Sequence, residues 1–246
     1  MESHLSRRSL LAMAVSGVEA GLGPADAQQT SGRRLRVVVA GAHPDDPETG
    51  AGGTMARCAA NHDVFCLYLT RGEAGIVGKS HEEAARIRTA EAEEACRILR
   101  VRPVFAGQID GATEVNAARY DQFHELLSGL RPDLVFTHFP VDTHRDHRAV
   151  SVLVFDSWLR SQRAWPLYYF EVDTGDQTEN FHPTDYVDIT AVEPIKRKAC
   201  YAHASQNPPE FYEPFHEKMS LFRGLECRVR HAEAFIWAGS RQVAFA

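Results

Sequence analysis

Residues 35–48 read Leu-Arg-Val-Val-Val-Ala-Gly-Ala-His-Pro-Asp-Asp-Pro-Glu. The first six form a short, β-branched apolar run, the pattern of a strand buried on both faces. Gly41 ends the run. A His and two adjacent carboxylates follow, in a loop stiffened by Pro44 and Pro47. Like charges this close disfavour joint ionisation unless a cation lies beside them. Neutral His and carboxylate are standard ligands for a divalent ion such as zinc. The same residues also suit an acidic turn that caps the next helix.

Working outward, the pattern predicts a helix over 52–61 and a second buried strand over 64–69. A Gly-rich loop spans 70–80. Residues 81–100 form the clearest helix, with Ala85, Ile87, Ala95, Ile98 and Leu99 as its apolar positions. A short strand is expected at 104–106, and a helix over 117–130 stopped by Arg131-Pro132. Strands are expected at 134–137, 167–172, 185–189 and 232–237, and helices over 147–162, 193–204 and 210–225. Strands alternating with helices predict an α/β fold: a Rossmann-like three-layer sandwich with a mostly parallel sheet, in a single domain. Ligands bind such sheets beyond the carboxyl ends of the strands. A second cluster sits in that position: Asp142-Thr143-His144-Arg145-Asp146-His147 follows the strand at 134–137. Taken alone it also reads as a polar loop with surface histidines. Two metal-type clusters at the ends of strands that one sheet can bring together make chance a poor account.

With these pieces in order, the sequence resembles the PIG-L/LmbE-like zinc-dependent N-deacetylases over residues 36–236. Ala42-His43-Pro44-Asp45-Asp46-Pro47-Glu48 is similar to the family's Ala-His-Pro-Asp-Asp-x-Glu, and residues 144–147 to its His-x-Asp-His. Thr70-Arg71-Gly72-Glu73-Ala74-Gly75 resembles the family's Thr-x-Gly-Glu-x-Gly loop, and Arg88-Thr89-Ala90-Glu91 its Arg-x-x-Glu helix. Val187-Asp188-Ile189-Thr190, Lys198, His203-Ala204-Ser205-Gln206 and Glu233-Ala234-Phe235 match its later pattern. Two positions depart from it: Pro47 stands where Glu is common, and Arg145 where Pro is common.

The resemblance implies roles that the chemistry supports. His43, Asp46 and His147 would ligate Zn2+ or Fe2+, and three protein ligands leave a position open for water. Asp45 would be the general base. His144 would face the developing oxyanion, with Asp146 holding its ring and favouring its protonated form. Arg88 and Arg71 would lie near the substrate, the alternative for Arg88 being a helix-surface charge paired with Glu91. The implied activity is removal of acyl groups from N-acetylglucosamine-type amino sugars or their conjugates. The partner is then a small amino sugar or glycan, and the chain acts as a monomer or a homo-oligomer. Another metallohydrolase, such as a phosphoesterase, and a non-catalytic carbohydrate-binding protein are the alternatives.

Composition agrees with this. The chain has 246 residues, 44% hydrophobic and 24% charged, as in a globular protein, and its net charge of −6 argues against a nucleic-acid binder. Residues 1–27 carry Arg7-Arg8, an apolar run and Ala25-Asp26-Ala27, the order of a twin-arginine export signal. A domain over 28–246 would then act in the periplasm or outside the cell, with no membrane span in the mature chain. The five cysteines read as buried free thiols, with one disulfide as the alternative in an oxidising compartment. Gly78-Lys79-Ser80 imitates a phosphate-binding loop, yet Glu73 occupies the position where that loop needs Gly. No dinucleotide Gly-x-Gly-x-x-Gly opens the first helix.

Overall fold

The computed structural model describes residues 33–239. The export signal expected over 1–27 lies outside them. Seven strands form one sheet: β1 (Arg36–Gly41), β2 (Asp63–Tyr68), β3 (Arg102–Phe105), β4 (Leu134–His138), β5 (Leu167–Phe170), β6 (Asp185–Asp188) and β7 (Ala232–Trp237). Their order is β3-β2-β1-β4-β5-β7-β6. The five strands from β3 to β5 are parallel, and β7 runs antiparallel to both β5 and β6. The expected mostly parallel α/β sandwich is therefore the fold.

Alternation along β1 builds both layers. Val37 and Val39 face one side and Val38 and Ala40 the other, all fully buried. On the first side pack α1 (Asp46–Cys58), α2 (His81–Leu99) and α5 (Glu193–Tyr201), through Met55, Ala92, Cys96, Leu99 and Ala199. On the second pack α3 (Ala117–Gly129) and α4 (Arg145–Arg160), through Phe123, Leu127, Val150, Leu153 and Trp158. Each fully buried Val or Leu contributes about 1.5–3 kcal/mol by leaving water. The five cysteines are unpaired, and burial pushes the Cys58 thiol up to about 12. Among the described residues no helix is long and apolar enough to cross a membrane.

Two segments differ from the sequence expectation. α1 begins at Asp46 rather than at 52, so the carboxylate loop runs straight into the helix. Asp46 and Glu48 lie in its first turn, where the helix dipole favours negative charge, and Pro47 needs no N–H partner there. Its glycines are required by close packing: a Cβ on Gly50 would lie 2.3 Å from Phe170 Cδ2, and one on Gly53 2.6 Å from Ile189 Cγ2. The helix kinks at Ala51 (φ −145°), and Glu233 of β7 accepts from the backbone N–H groups of Gly53 and Thr54 at 2.8 and 2.7 Å. Lys196 Nζ, 2.7 Å from Glu233 Oε1, completes this buried anchor.

The single helix expected over 210–225 is a short α6 (Pro208–Phe211), a π-helical turn (Tyr212–Glu217) and α7 (Lys218–Cys227). The π turn inserts an extra residue per turn and re-aims the side chains it carries, a feature that recurs at functional sites.

Candidate active site

Strand order reverses between β1 and β4, and both clusters stand at that switch point, beyond the carboxyl ends of the two strands. His43, Pro44 and Asp45 form the β1–α1 loop, and Asp46 opens α1. His144 caps α4, with Asp146 and His147 in or next to its first turn.

The side chains converge. His43 Nδ1 lies 3.1 Å from Asp46 Oδ2, and His147 Nε2 lies 3.3 Å from Asp46 Oδ1. Nitrogens of His43, His144 and His147 lie within 4.8 Å of one another. His43, Asp46 and His147 are all buried. Burial presses the His43 imidazole down, but Asp46, Asp110 and Asp146 outweigh it and hold its pKa well above the usual value. His147 is likewise opposed by burial, yet Asp46 and Asp142 raise it to about 9. Burial pushes the Asp46 carboxyl up, and the imidazoles of His147, His138 and His43 pull it well below the carboxylate range. Among the described residues, no lysine or arginine pairs with Asp46. The cluster therefore needs positive charge, from protons on the imidazoles or from a cation. Buried N and O donors gathered around one carboxylate, with no side-chain cation supplied, are a donor set that fits a divalent ion.

Asp45 is held beside this cluster in a left-handed conformation (φ 111°), a conformation costly for a residue with a Cβ. Its backbone N–H donates to Glu48 Oε2 at 3.2 Å. Its side chain accepts from Arg88 Nη2 at 2.7 Å, and Arg88 Nη2 also donates to the Pro44 carbonyl. Burial pushes the Asp45 carboxyl up, the Arg88 guanidinium pulls it down, and the net direction is upward. Arg88 is thus not a surface charge paired with Glu91: it is 3% exposed, and Glu91 accepts instead from the backbone and hydroxyl of Ser205. The glycines of the 70–80 loop make room for it, since a Cβ on Gly72 or Gly75 would come within 2.5 or 2.3 Å of Arg88 Nη1. Arg71 is placed differently. It is exposed, lies over the Phe105 ring and reaches Thr89, with no contact to the cluster.

The expected hold of Asp146 on the His144 ring is not what the structure shows. The Asp146 carboxylate turns to His43 Nε2 at 3.3 Å and accepts from Gly111 N at 2.8 Å and Thr113 Oγ1 at 2.6 Å. Burial raises its pKa, but these hydrogen bonds win and hold it far down. The contact to His144 is made by the Asp146 backbone N–H, which donates to His144 Nδ1 at 3.3 Å. Burial, His43 and His147 press the His144 pKa down. The ring is therefore neutral, with its proton on Nε2, rather than protonated on both nitrogens.

Three further residues belong to the site. Asp142 lies 3.2 Å from His147 Nδ1 and accepts from the His144 backbone at 2.7 Å and from Thr178 Oγ1 at 3.1 Å. A carboxylate on Nδ1 fixes the His147 ring and turns Nε2 toward the cluster. Asp110, from the loop after β3, lies 3.3 Å from His43 Nε2. His138, the last residue of β4, stacks on His147 with centroids 4.0 Å apart, and burial drops it to about 4, so it is neutral. A lone His at a strand end and an Asp in an unpatterned loop carry no periodic signal, whereas Asp142 was readable as part of the second cluster.

A cavity of about 210 Å³ opens onto Asp45 and Asp46, with Gln177, His203, Tyr212 and His216 among its walls. A neighbouring cavity of about 290 Å³ shares Thr49, Asp173 and His216 with it. The fold and this geometry define a class: a Rossmann-like α/β protein whose switch point carries a buried His/Asp cluster of metal-binding type beside a strained carboxylate.

Comparison with known proteins narrows the class. The model of the PIG-L family, described as GlcNAc-PI de-N-acetylase, matches residues 38–158, which include most of β1, both clusters and most of α4. The diacetylchitobiose deacetylase of Thermococcus kodakarensis is 29% identical over 211 residues, covering 78% of each chain. The solved structure of N,N'-diacetylchitobiose deacetylase from Pyrococcus horikoshii, complexed with an inhibitor, superimposes with a TM-score of 0.75 at 25% identity, over 94% of this chain and 89% of that one. The 4-carboxy-2-hydroxymuconate hydratase of Pseudomonas putida KT2440 also superimposes at 0.75, with 20% identity over 86% and 99% of the two chains, a likeness of fold alone. Residues 38–158 thus match the PIG-L family, and the fold is that of the LmbE-like deacetylase structures.

Proposed function

We propose that this protein is a divalent-metal-dependent hydrolase, zinc being the first candidate and iron the second, that removes acetyl or other acyl groups from N-acetylglucosamine-type amino sugars or their conjugates. The convergence of His43, Asp46 and His147 beside Asp45 carries the reading. The family match over 38–158 and the names of the two chitobiose deacetylases support the substrate class.

His43, Asp46 and His147 would hold the ion. When bound it supplies a Lewis acid that polarises the amide carbonyl and makes water more acidic. Asp45 takes the proton of the attacking water on its carboxylate and later delivers it to the departing amine. Its raised pKa moves it toward the range in which one group both accepts and returns a proton. Arg88 keeps the same carboxylate oriented by donating at 2.7 Å. Neutral His144 donates from Nε2 to the oxygen that gains charge. Asp142 and Asp146 fix the rings of His147 and His43.

The test measures free amine released from N-acetylglucosamine and its β-linked dimer, with and without a chelator. Release that stops on chelation and returns with Zn2+ or Fe2+ supports the proposal. Release of phosphate from phosphoesters, or sugar binding with no turnover, contradicts it.

A further inference from the structure

Most buried charges around the two cavities are saturated within the protein. Arg223 pairs with Glu171 through two bonds of 2.6 and 2.7 Å, and Lys196 pairs with Glu233. Asp173 is different. It follows β5 in a left-handed conformation (φ 43°), and its Oδ1 is buried with no hydrogen-bond partner. His216 Nε2, from the π-helical turn, lies 3.4 Å from it. Both residues line the cavity that reaches Asp45 and Asp46, and both also line its neighbour, so they stand where the two join. Burial, with Asp46, Asp176 and Asp45 nearby, pushes the Asp173 carboxyl up to about 6, and burial drops His216 to about 4. A neutral imidazole therefore faces a carboxyl group whose inner oxygen finds no donor in the protein. A carboxyl group bonded so sparsely within the protein remains an acceptor, and a ligand hydroxyl entering the cavity is a group that would bond it. Neither residue takes part in holding the ion or moving the proton.

Resting on the amino-sugar reading above, we propose that Asp173 is the specificity-determining residue of the cavity: its carboxyl group accepts a hydrogen bond from one ring hydroxyl of the bound sugar. His216 acts as a positioning residue that holds this carboxyl group at the junction. A site built to bond a hydroxyl rejects the analogue that lacks it, because the protein oxygen is then left unpaired. Contact at a ring hydroxyl away from the amide is made equally in ground and transition states, so its loss shows in KM and not in kcat.

The experiment compares wild type, Asp173→Ala, Asp173→Asn and His216→Gln on N-acetylglucosamine and its 3-, 4- and 6-deoxy analogues. Melting temperature and metal content serve as checks on folding. In wild type, one deoxy analogue is expected to have a KM about tenfold above the parent. Asp173→Ala raises the parent KM about tenfold and brings parent and analogue level, with kcat changed less than about twofold. Asp173→Asn, which tolerates the left-handed backbone, and His216→Gln narrow the same gap by a smaller factor. If the gap between parent and every analogue is the same in the variants as in wild type, or if kcat falls while KM stays, the inference is overturned and the deacetylase reading stands. If wild type releases amine from none of these sugars, the deacetylase reading falls and takes the inference with it.

Discussion

Replacing Arg88 by Met keeps the volume of the side chain and removes its charge. In the native site the guanidinium is buried, donates to Asp45 Oδ2 at 2.7 Å and opposes the upward push of burial on that carboxyl. A hydrogen bond to a charged group contributes about 1.5–3 kcal/mol net, which at about 1.4 kcal/mol per pKa unit corresponds to one to two units. The Asp45 side chain is 28% exposed, so solvent screening favours the lower end. The sign follows from the role proposed for Asp45: a base works as the carboxylate, so a higher pKa removes activity at low pH and restores it at high pH. The acid limb of the kcat/KM profile of Arg88→Met is therefore expected to move up by about one pH unit or more. Metal content should not change, because Arg88 makes no contact with His43, Asp46 or His147. The assay is amine release across pH 5–10 alongside metal analysis. An acid limb at the wild-type pH, with activity depressed evenly at all pH values, would refute the reasoning and make Arg88 a substrate contact instead.

Asp45→Asn should keep its metal while kcat falls by about 10²–10⁴-fold, as measured by single-turnover kinetics with metal analysis; wild-type turnover would remove Asp45 as the base. Asp142→Ala frees the His147 ring and should weaken metal affinity by about 10–100-fold in a chelator competition, with a much smaller effect on the melting temperature of the loaded protein. In chelated protein, His147 has a folded pKa of about 9 against an unfolded value near 6.5, so its stabilising contribution is complete below about pH 6.5 and lost as pH rises through 9. That contribution is about 3 kcal/mol, and melting curves of the chelated protein should fall over this window while those of the metal-loaded protein stay nearly flat.

Much of this site could be read from the sequence because the sheet announces itself. β1, β2 and β4 are largely apolar runs, and the loops and helix starts that follow β1 and β4 are placed at the switch point by topology alone. That is why His43, Asp46 and His147 could be paired across about a hundred positions. What could not be read depended on packing. The glycine-rich stretch suggests a helix starting at 52, yet α1 begins at Asp46, and Phe170, Lys196 and Ile189 pack closely on Gly50, Gly52 and Gly53 within it. The π-helical turn has no pattern of its own, so His216 stood on no recognisable face. The direction of Asp146 was decided by Gly111 N and Thr113 Oγ1, residues of a distant loop that compete for its oxygens. Arg88 and Arg71 looked alike in the sequence, and they separate only because Gly72 and Gly75 leave a slot for Arg88 while Arg71 stacks on Phe105.

Elemental analysis of purified wild type and His147→Ala bears most directly on the whole account. One equivalent of a divalent metal per chain in wild type, and a loss of most of it in a folded His147→Ala variant, is the expected result. A wild-type protein that cleaves amides with no bound metal, or a variant that retains a full equivalent, would contradict the claim that these two loops hold one ion between them.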